Sequence, residues 1–377
     1  MELESRVWTE SDGWSAPLPD ACDGPATVVL AFGASALADA PEPLDELGKA
    51  FPTSHVVGCS TAGEILGETL ADDTVVVSIA RFERARVAHA RANVTGPHES
   101  YDAGQAIGRA LAAPDLGAVF VLSDGLLVNG SQLVRGLTRS VASDVVITGG
   151  LAGDGECFER TWVLADGVPE SGVIAAIGFA GAARVGAGSA GGWDIFGPER
   201  TITRSVGNVL YELDGRPALE LYREYLGDRA SGLPATAMLF PLAIRPVPDD
   251  TPRTVRTVLA IDESEQSMTF AGDVSQGWQA QLMCANRERL VDGAMQAASR
   301  SALPDVSGPQ LAVAISCVGR RLVLGERTEE EIEATLEALA PGAELIGFYS
   351  YGEIGPHAEG FCDLHNQTMT VTTIGER

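Results

Sequence analysis

Val56-Val-Gly-Cys-Ser-Thr-Ala-Gly-Glu64 reads as an apolar strand that runs into a glycine turn and ends on a carboxylate. The same sentence recurs in Val146-Ile-Thr-Gly-Gly-Leu-Ala-Gly-Asp154 and in Leu345-Ile-Gly-Phe-Tyr-Ser-Tyr-Gly-Glu353. Each follows a strand and a helix. Thr27-Val-Val-Leu-Ala-Phe32 precedes a helical stripe at Leu44, Leu47 and Phe51, Ala118-Val-Phe-Val-Leu122 precedes Leu133, Leu137 and Val141, and Leu311-Ala-Val-Ala-Ile315 precedes Ile332, Leu336 and Leu339. Gly58 to Gly63 and Gly347 to Gly352 share one spacing, with Glu64 and Glu353 directly after, while Thr148 and Gly153 stand in register before Asp154 in the middle copy. One supersecondary unit occurring three times is a repeat, and it sets the architecture before any single residue does.

Strand-like runs extend the unit: Thr74–Ile79 and Arg86–Ala90 after the first copy, Thr161–Leu164 and Gly172–Ile177 after the second, and Gln367–Ile374, with period-two alternation, after the third. Apolar residues at i, i+3/i+4 and i+7 predict further helices over 101–112, 217–226 and 286–299. Thr328-Glu-Glu-Glu331 has the form of a capping box, and Pro341-Gly342 closes the helix it opens. Strand-helix-strand followed by hairpins is not strict βαβ alternation. It predicts a mixed α+β chain of the α/β type: layered mixed sheets flanked by helices, in two related domains built from the repeats. Glycine-rich Gly186–Gly192 and the turn Asp214-Gly215-Arg216-Pro217 place the boundary near 200–218, giving an extension over 1–23 and domains over 24–218 and 219–377. The segment 245–256, with Pro246, Pro248 and Pro252, reads as an exposed loop.

At 377 residues, 45% hydrophobic and 21% charged, the chain is globular and long enough for two cores. Its longest charge-free stretches, 24–38 and 230–244, fall short of the roughly 18 apolar residues a spanning helix needs, so no membrane insertion is expected. Met1-Glu-Leu-Glu-Ser-Arg6 has no basic region followed by an apolar one, which points to the cytoplasm. A net charge of −26 opposes nucleic acid as a partner, since affinity for phosphate backbones is supplied by Lys and Arg. Six scattered cysteines, Cys22, Cys59, Cys157, Cys284, Cys317 and Cys362, form no Cys-x-x-Cys pair and do not support structural zinc.

Glycine turns at strand ends are where open α/β sheets hold ligands. Glu64, Asp154 and Glu353 are therefore candidates for related clefts, together with Cys59, Ser60 and Thr61 of the first turn and Ser350 and Tyr351 of the third. The bland alternative is that the glycines only reverse the chain and the carboxylates cap local N–H groups. No turn carries a nucleotide fingerprint. Cys59 has no Asp/His pair at recognisable spacing, so no catalytic set is read and the protein is expected not to be an enzyme. Arg320 and Arg321 form the clearest basic point at a strand end, suited to a ligand carboxylate or to the surplus of acidic side chains. His365 and Asn366 open the last strand among other polar groups.

Gly58–Glu64, Gly149–Gly155, Ser205–Ala218, Phe240-Pro-Leu242, Gly319–Glu326, Gly347–Ile354 and His365–Thr370, in that order, resemble the FIST family over nearly the whole chain from about residue 24. The resemblance implies an N-terminal and a C-terminal FIST domain and a sensory module of signal transduction that binds small ligands such as amino acids. It also implies action through a separate signalling protein, for example a kinase or a cyclic-di-nucleotide enzyme acting in trans. One group of stand-alone FIST proteins senses nitric oxide through haem with histidine as iron ligand. If this chain is of that kind, His365 is the first candidate ligand and His89 the second.

Overall fold

The computed structural model describes residues 1–165, 167–233, 235–247, 253–357, 360 and 362–377. Three parallel strand pairs form its frame: Thr27–Gly33 with His55–Ser60, Leu116–Ser123 with Val146–Leu151, and Leu311–Cys317 with Glu344–Ser350. The helices Glu42–Ala50, Gly130–Thr138 and Thr328–Ala338 make the crossovers that parallel pairing requires. A closing strand lies antiparallel to the first strand of each pair, at Val75–Arg81, Val173–Gly181 and Met369–Glu376. An opening strand, Glu2–Thr9, Ala85–Asn93 or Ala183–Ala190, lies beyond it. The result is a mixed α+β protein with three mixed sheets of one plan.

Alternation along the central strands decides which way each sheet faces. Val28, Leu30 and Phe32 of the first sheet meet Ala118, Phe120 and Leu122 of the second and Leu311, Val313 and Ile315 of the third in one shared core. The intervening Val29 and Ala31 face the first crossover helix, and Val119, Val121, Ala312 and Ala314 face the helices of the other two units. Both faces of each sheet are thus covered, which explains why these strands read as continuous apolar runs.

The three units are closed into a ring by exchange. The strand after each glycine turn leaves its own sheet and pairs with the second parallel strand of a neighbour. Glu64–Leu66 joins Glu344–Ser350, Gly352–Pro356 joins Val146–Leu151, and Val163–Ala165 joins His55–Ser60. Each unit therefore receives one strand and gives one, a cyclic arrangement with approximate threefold symmetry.

The third unit is interrupted. Between Ala183–Ala190 and the helix Arg287–Arg300 the chain forms an antiparallel sheet, whose stem pairs Trp193–Ile195 with Gln279–Ala285. Ile202, Leu210, Leu219, Tyr222 and Phe270 supply this insert with a core of its own, against which the helix Ala218–Leu226 packs. Gly186–Gly192, expected near a boundary, is instead packed against that long helix: a Cβ at Gly186, Gly188 or Gly192 would overlap backbone of Ser301, Ala297 or Arg289. Glycine is used here for close approach of strand and helix rather than for a linker. Of the loop expected over 245–256, residues 248–252 lie outside the described residues, and its flanks Leu242–Arg245 and Thr254–Arg256 pair as strands. No helix among the described residues is long and apolar enough to cross a membrane.

Candidate functional site

The three glycine turns meet where the exchanged strands cross. Gly58, Gly149 and Gly347 occupy one position, opposite Ala31, Val121 and Ala314, and a Cβ on any of them would overlap the carbonyl oxygen opposite. The expected register of the middle copy is therefore corrected by one residue. Gly149, not Thr148, matches Gly58, and the Thr148 hydroxyl instead lies 2.6 Å from that of Thr372 inside the body. With this register the turns hydrogen-bond head to tail: Ala62 N–H to Tyr349 O at 2.8 Å, Gly153 N–H to Ser60 O at 2.9 Å, and Tyr351 N–H to Leu151 O at 3.3 Å.

Glu64 and Glu353 are equivalent and buried. The Thr61 hydroxyl donates to Glu64 Oε1, while Thr74 N–H and Oγ1–H donate to Oε2 at 3.1 and 2.9 Å. Ser350 donates to Glu353 Oε1 at 2.7 Å, and Thr368 N–H and Oγ1–H to Oε2 at 3.2 and 2.8 Å. Each carboxyl clamps its turn to the start of its closing strand. Burial pushes Glu64 up to about 7 and Glu353 up to about 8, against the opposing effect of these hydrogen bonds.

Asp154 does not share that position. Pairing places Val163 opposite Cys59 as Glu64 lies opposite Phe348 and Glu353 opposite Gly150, so the middle turn is longer and Val163 stands where the other two have glutamate. Asp154 accepts from Phe158, Glu159 and Arg160 N–H at 2.8, 2.8 and 2.7 Å and from the Tyr351 hydroxyl. It thereby folds the extra loop and stacks Phe158 on Tyr351, with centroids 4.4 Å apart. The task of Glu64 and Glu353 passes to Asp124, which accepts from Gly172 N–H at 2.9 Å and from Leu126 and Leu127 N–H at 2.8 and 2.7 Å.

The remaining candidates are scattered. Cys59 is sealed in the shared core and its thiol is pushed well up by burial. Ser60 Oγ accepts from Trp162 N–H at 3.0 Å. Arg320 is buried in a bond to Glu331 Oε2 at 2.7 Å and donates further to Gly191 O and Leu290 O. Glu331 also accepts from Ser316 at 3.0 Å and Tyr349 at 2.6 Å, so the expected capping box does not form: its glutamate turns inward to Arg320. Arg321 grips Asp72 at 2.6 Å and Ala62 O at 2.5 Å, tying the third unit to the first turn. Asn366 is buried with no partner for its amide among the described residues.

His365 is buried, bonded through Nε2 to Gly355 O at 3.0 Å, with its ring 4.5 Å from that of His357. Burial first, then His357, lowers it to about 4. His89 lies on the opposite edge strand of the same sheet, so one iron cannot take both. With Nε2 bonded to Gly355 O and the buried ring set against His357, only Nδ1 of His365 is left for an iron.

What the turns do build is a cleft of about 180 Å³ at the carboxyl ends of the middle parallel pair. Leu126, Asn129, Phe158 and Tyr351 form one side, and Asn208 and Phe270 of the insert the other. Among the described residues its lining carries no charged side chain. Of the sequence candidates only Tyr351 lines it, with Asp154 directly behind. Asp124, Asn129 and Phe158 are not among the residues the repeat marks, although Ser123-Asp124-Gly125 at the end of an apolar strand is itself a turn signal.

No curated protein matches the chain. Among solved structures, a cyanuric acid hydrolase from A. caulinodans is similar at 11% identity and a TM-score of 0.37, over 100% of this chain and 99% of that one, a likeness too weak to carry an argument. The family models are decisive: with the FIST N domain matching residues 27–216 and the FIST C domain residues 218–356, the chain belongs to the FIST family.

Proposed function

We propose that this protein is a sensor whose ligand site is the cleft between the middle unit and the insert. FIST domains are associated with signal-transduction sensing. The observation that carries the assignment is that cleft, at the strand ends where open α/β sheets bind ligands, with walls from two separately cored parts of the chain. Its volume is slightly above the roughly 150 Å³ that takes benzene, so the ligand is small. The uncharged lining favours a neutral molecule with a planar face for the Phe158–Tyr351 pair and polar edges for Asn129 and Asn208, rather than an amino-acid zwitterion. Sealing of Cys59 and consumption of Arg320 by Glu331 support binding without turnover. Because opposite walls belong to the repeat body and the insert, occupancy alters how the two are held together. That surface is what a separate signalling protein, such as a kinase or a cyclic-di-nucleotide enzyme acting in trans, reads from within the cytoplasm.

A thermal-shift screen of amino acids, nucleotides and small neutral aromatics tests this. A ligand at a hundred times its Kd stabilises by about 2.7 kcal/mol. The expected result is a shift from a neutral planar compound that Phe158→Ala abolishes. Shifts that ignore this change, or none from any class, overturn the assignment.

A further inference from the structure

On the far side of the contact between insert and middle unit lies a second cleft, of about 310 Å³, with a different chemistry. Three arginines line it, Arg135, Arg139 and the buried Arg256, together with Trp278, Asp273 and Asp363. Arginine in this chain is usually spent on a carboxylate, as Arg86 is on Asp115, Arg160 on Asp39 and Arg321 on Asp72. Arg135 and Arg139 are not: Arg135 donates only to Gln132 Oε1 at 3.3 Å, and neither has an acidic partner among the described residues. They stand one turn apart on the helix Gly130–Thr138 and its cap, where like charges repel, and that helix contains no carboxylate in a chain of net charge −26. Both carboxylates at the cleft are already engaged. Asp273 accepts from Asn129 and Gln132 at 2.9 and 2.6 Å, and Asp363 lies 3.8 Å from buried Arg256.

The repeat supplies an internal control. The groove between crossover helix and exchanged hairpin in the third unit is lined by Leu66, Leu336, Glu68 and Glu344 and, among the described residues, by no basic side chain. Arginines are therefore not what this fold requires at that place.

We propose that the Arg135–Arg139 cleft binds a small organic anion, a phosphate or carboxylate joined to a planar apolar body. The two exposed guanidiniums fork the anion, Ser131, Thr138 and Ser275 offer hydroxyls beside it, and the half-buried Trp278 ring takes the body. The volume falls within the roughly 300–1,000 Å³ of small-molecule sites. The cleft is distinct from the neutral one, and the two share the Asn129–Asp273 contact as their common wall.

The test is titration of the whole protein with phenyl phosphate, benzoate, inorganic phosphate and the neutral benzyl alcohol, read by tryptophan fluorescence. Phenyl phosphate or benzoate is expected to give saturable quenching that Trp278→Phe removes, and the better of the two names the anion. Arg135→Gln/Arg139→Gln is expected to weaken it at least about tenfold, or about 1.4 kcal/mol, with an unchanged circular dichroism spectrum. In the unaltered protein, rising salt is expected to weaken the anions and leave benzyl alcohol unaffected. Equal affinity in the double variant, equal binding of benzyl alcohol that Trp278→Phe likewise removes, or no saturation by either aromatic anion at millimolar concentration overturns the proposal.

Discussion

Glu64 and Glu353 occupy one and the same place in two of the three turns, each with Oε1 against a hydroxyl three residues earlier and Oε2 against the amide and hydroxyl of the threonine that precedes the closing strand. Oε2 meets only donors, while Oε1 faces a hydroxyl that can equally accept. A protonated carboxyl, or a glutamine, fits that pattern without loss.

Stability should consequently depend on these two groups in a definite direction. Their folded values, about 7 and about 8, lie above the ordinary glutamate value of 4.5, so their stabilisation is complete below about 4.5 and is lost as pH rises through 7 and 8. At about 1.4 kcal/mol per unit, the loss amounts to several kcal/mol for the pair. Urea unfolding at pH 5, 7 and 9 is expected to show a falling midpoint, and Glu64→Gln/Glu353→Gln to flatten that fall. An equally steep dependence in the double variant would show that both groups are ionised throughout.

A second prediction concerns the glycines that set the register. An added Cβ at Gly58, Gly149 or Gly347 would run into a backbone carbonyl that cannot retreat without breaking the parallel pair, and Gly149 also has φ +145°. Alanine at any of the three is expected to cost more than about 4 kcal/mol, leaving little folded protein. Gly155→Ala, at a positive φ but in open space, is expected to cost only about 1 kcal/mol. Denaturant midpoints and soluble yield distinguish the two classes.

The strands and helices of the repeat were legible because their cues are local. Predicted helices over 101–112, 217–226 and 286–299 lie within two residues of Ser100–Ala110, Ala218–Leu226 and Arg287–Arg300. The middle turn slipped by one residue because Gly149-Gly150 offers two candidates and Gly153 imitates Gly63 and Gly352. Exchange of strands around the ring was hidden, since pairing partners hundreds of residues apart leave no periodicity. Glu331 obeyed a buried arginine rather than its helix terminus, a contest that spacing cannot show. The neutral cleft depends on Asp154 folding a loop that neither of the other turns possesses, so the likeness of the three turns does not point to it.

Thiol accessibility gives a third, direct check. Cys157 is exposed, whereas Cys59 and Cys317 are buried and burial pushes their thiols upward, Cys317 to about 12. The thiolate is the reactive form, so neither buried group should compete. A maleimide reagent at neutral pH is expected to label Cys157 first, and Cys157→Ser to remove that fast phase. Prompt labelling of Cys59 in folded protein would contradict its place between the sheets and reopen a nucleophilic role.

The fourth prediction turns on Arg320 and Glu331, which are both fully buried, Glu331 accepting also from Ser316 and Tyr349 and Arg320 donating also to Gly191 O and Leu290 O. Removing one member of such a pair leaves the other charged and unsolvated, at a cost of about 3–5 kcal/mol. Glu331→Ala is expected to fall in that range by urea unfolding. Arg320→Met/Glu331→Leu should recover much of the loss, because it deletes both desolvation penalties together. The recovery will be incomplete: Gly191 O and Leu290 O lose their donor, and Tyr349 loses its acceptor. Since Leu290 and Gly191 flank the stem of the insert, the double variant is also expected to loosen the attachment of the insert to the ring. Faster proteolysis near 191–195, with the three-unit body still resistant, is the measurement that reads it, and uniform resistance across the chain would show that the ion pair has no part in holding the stem.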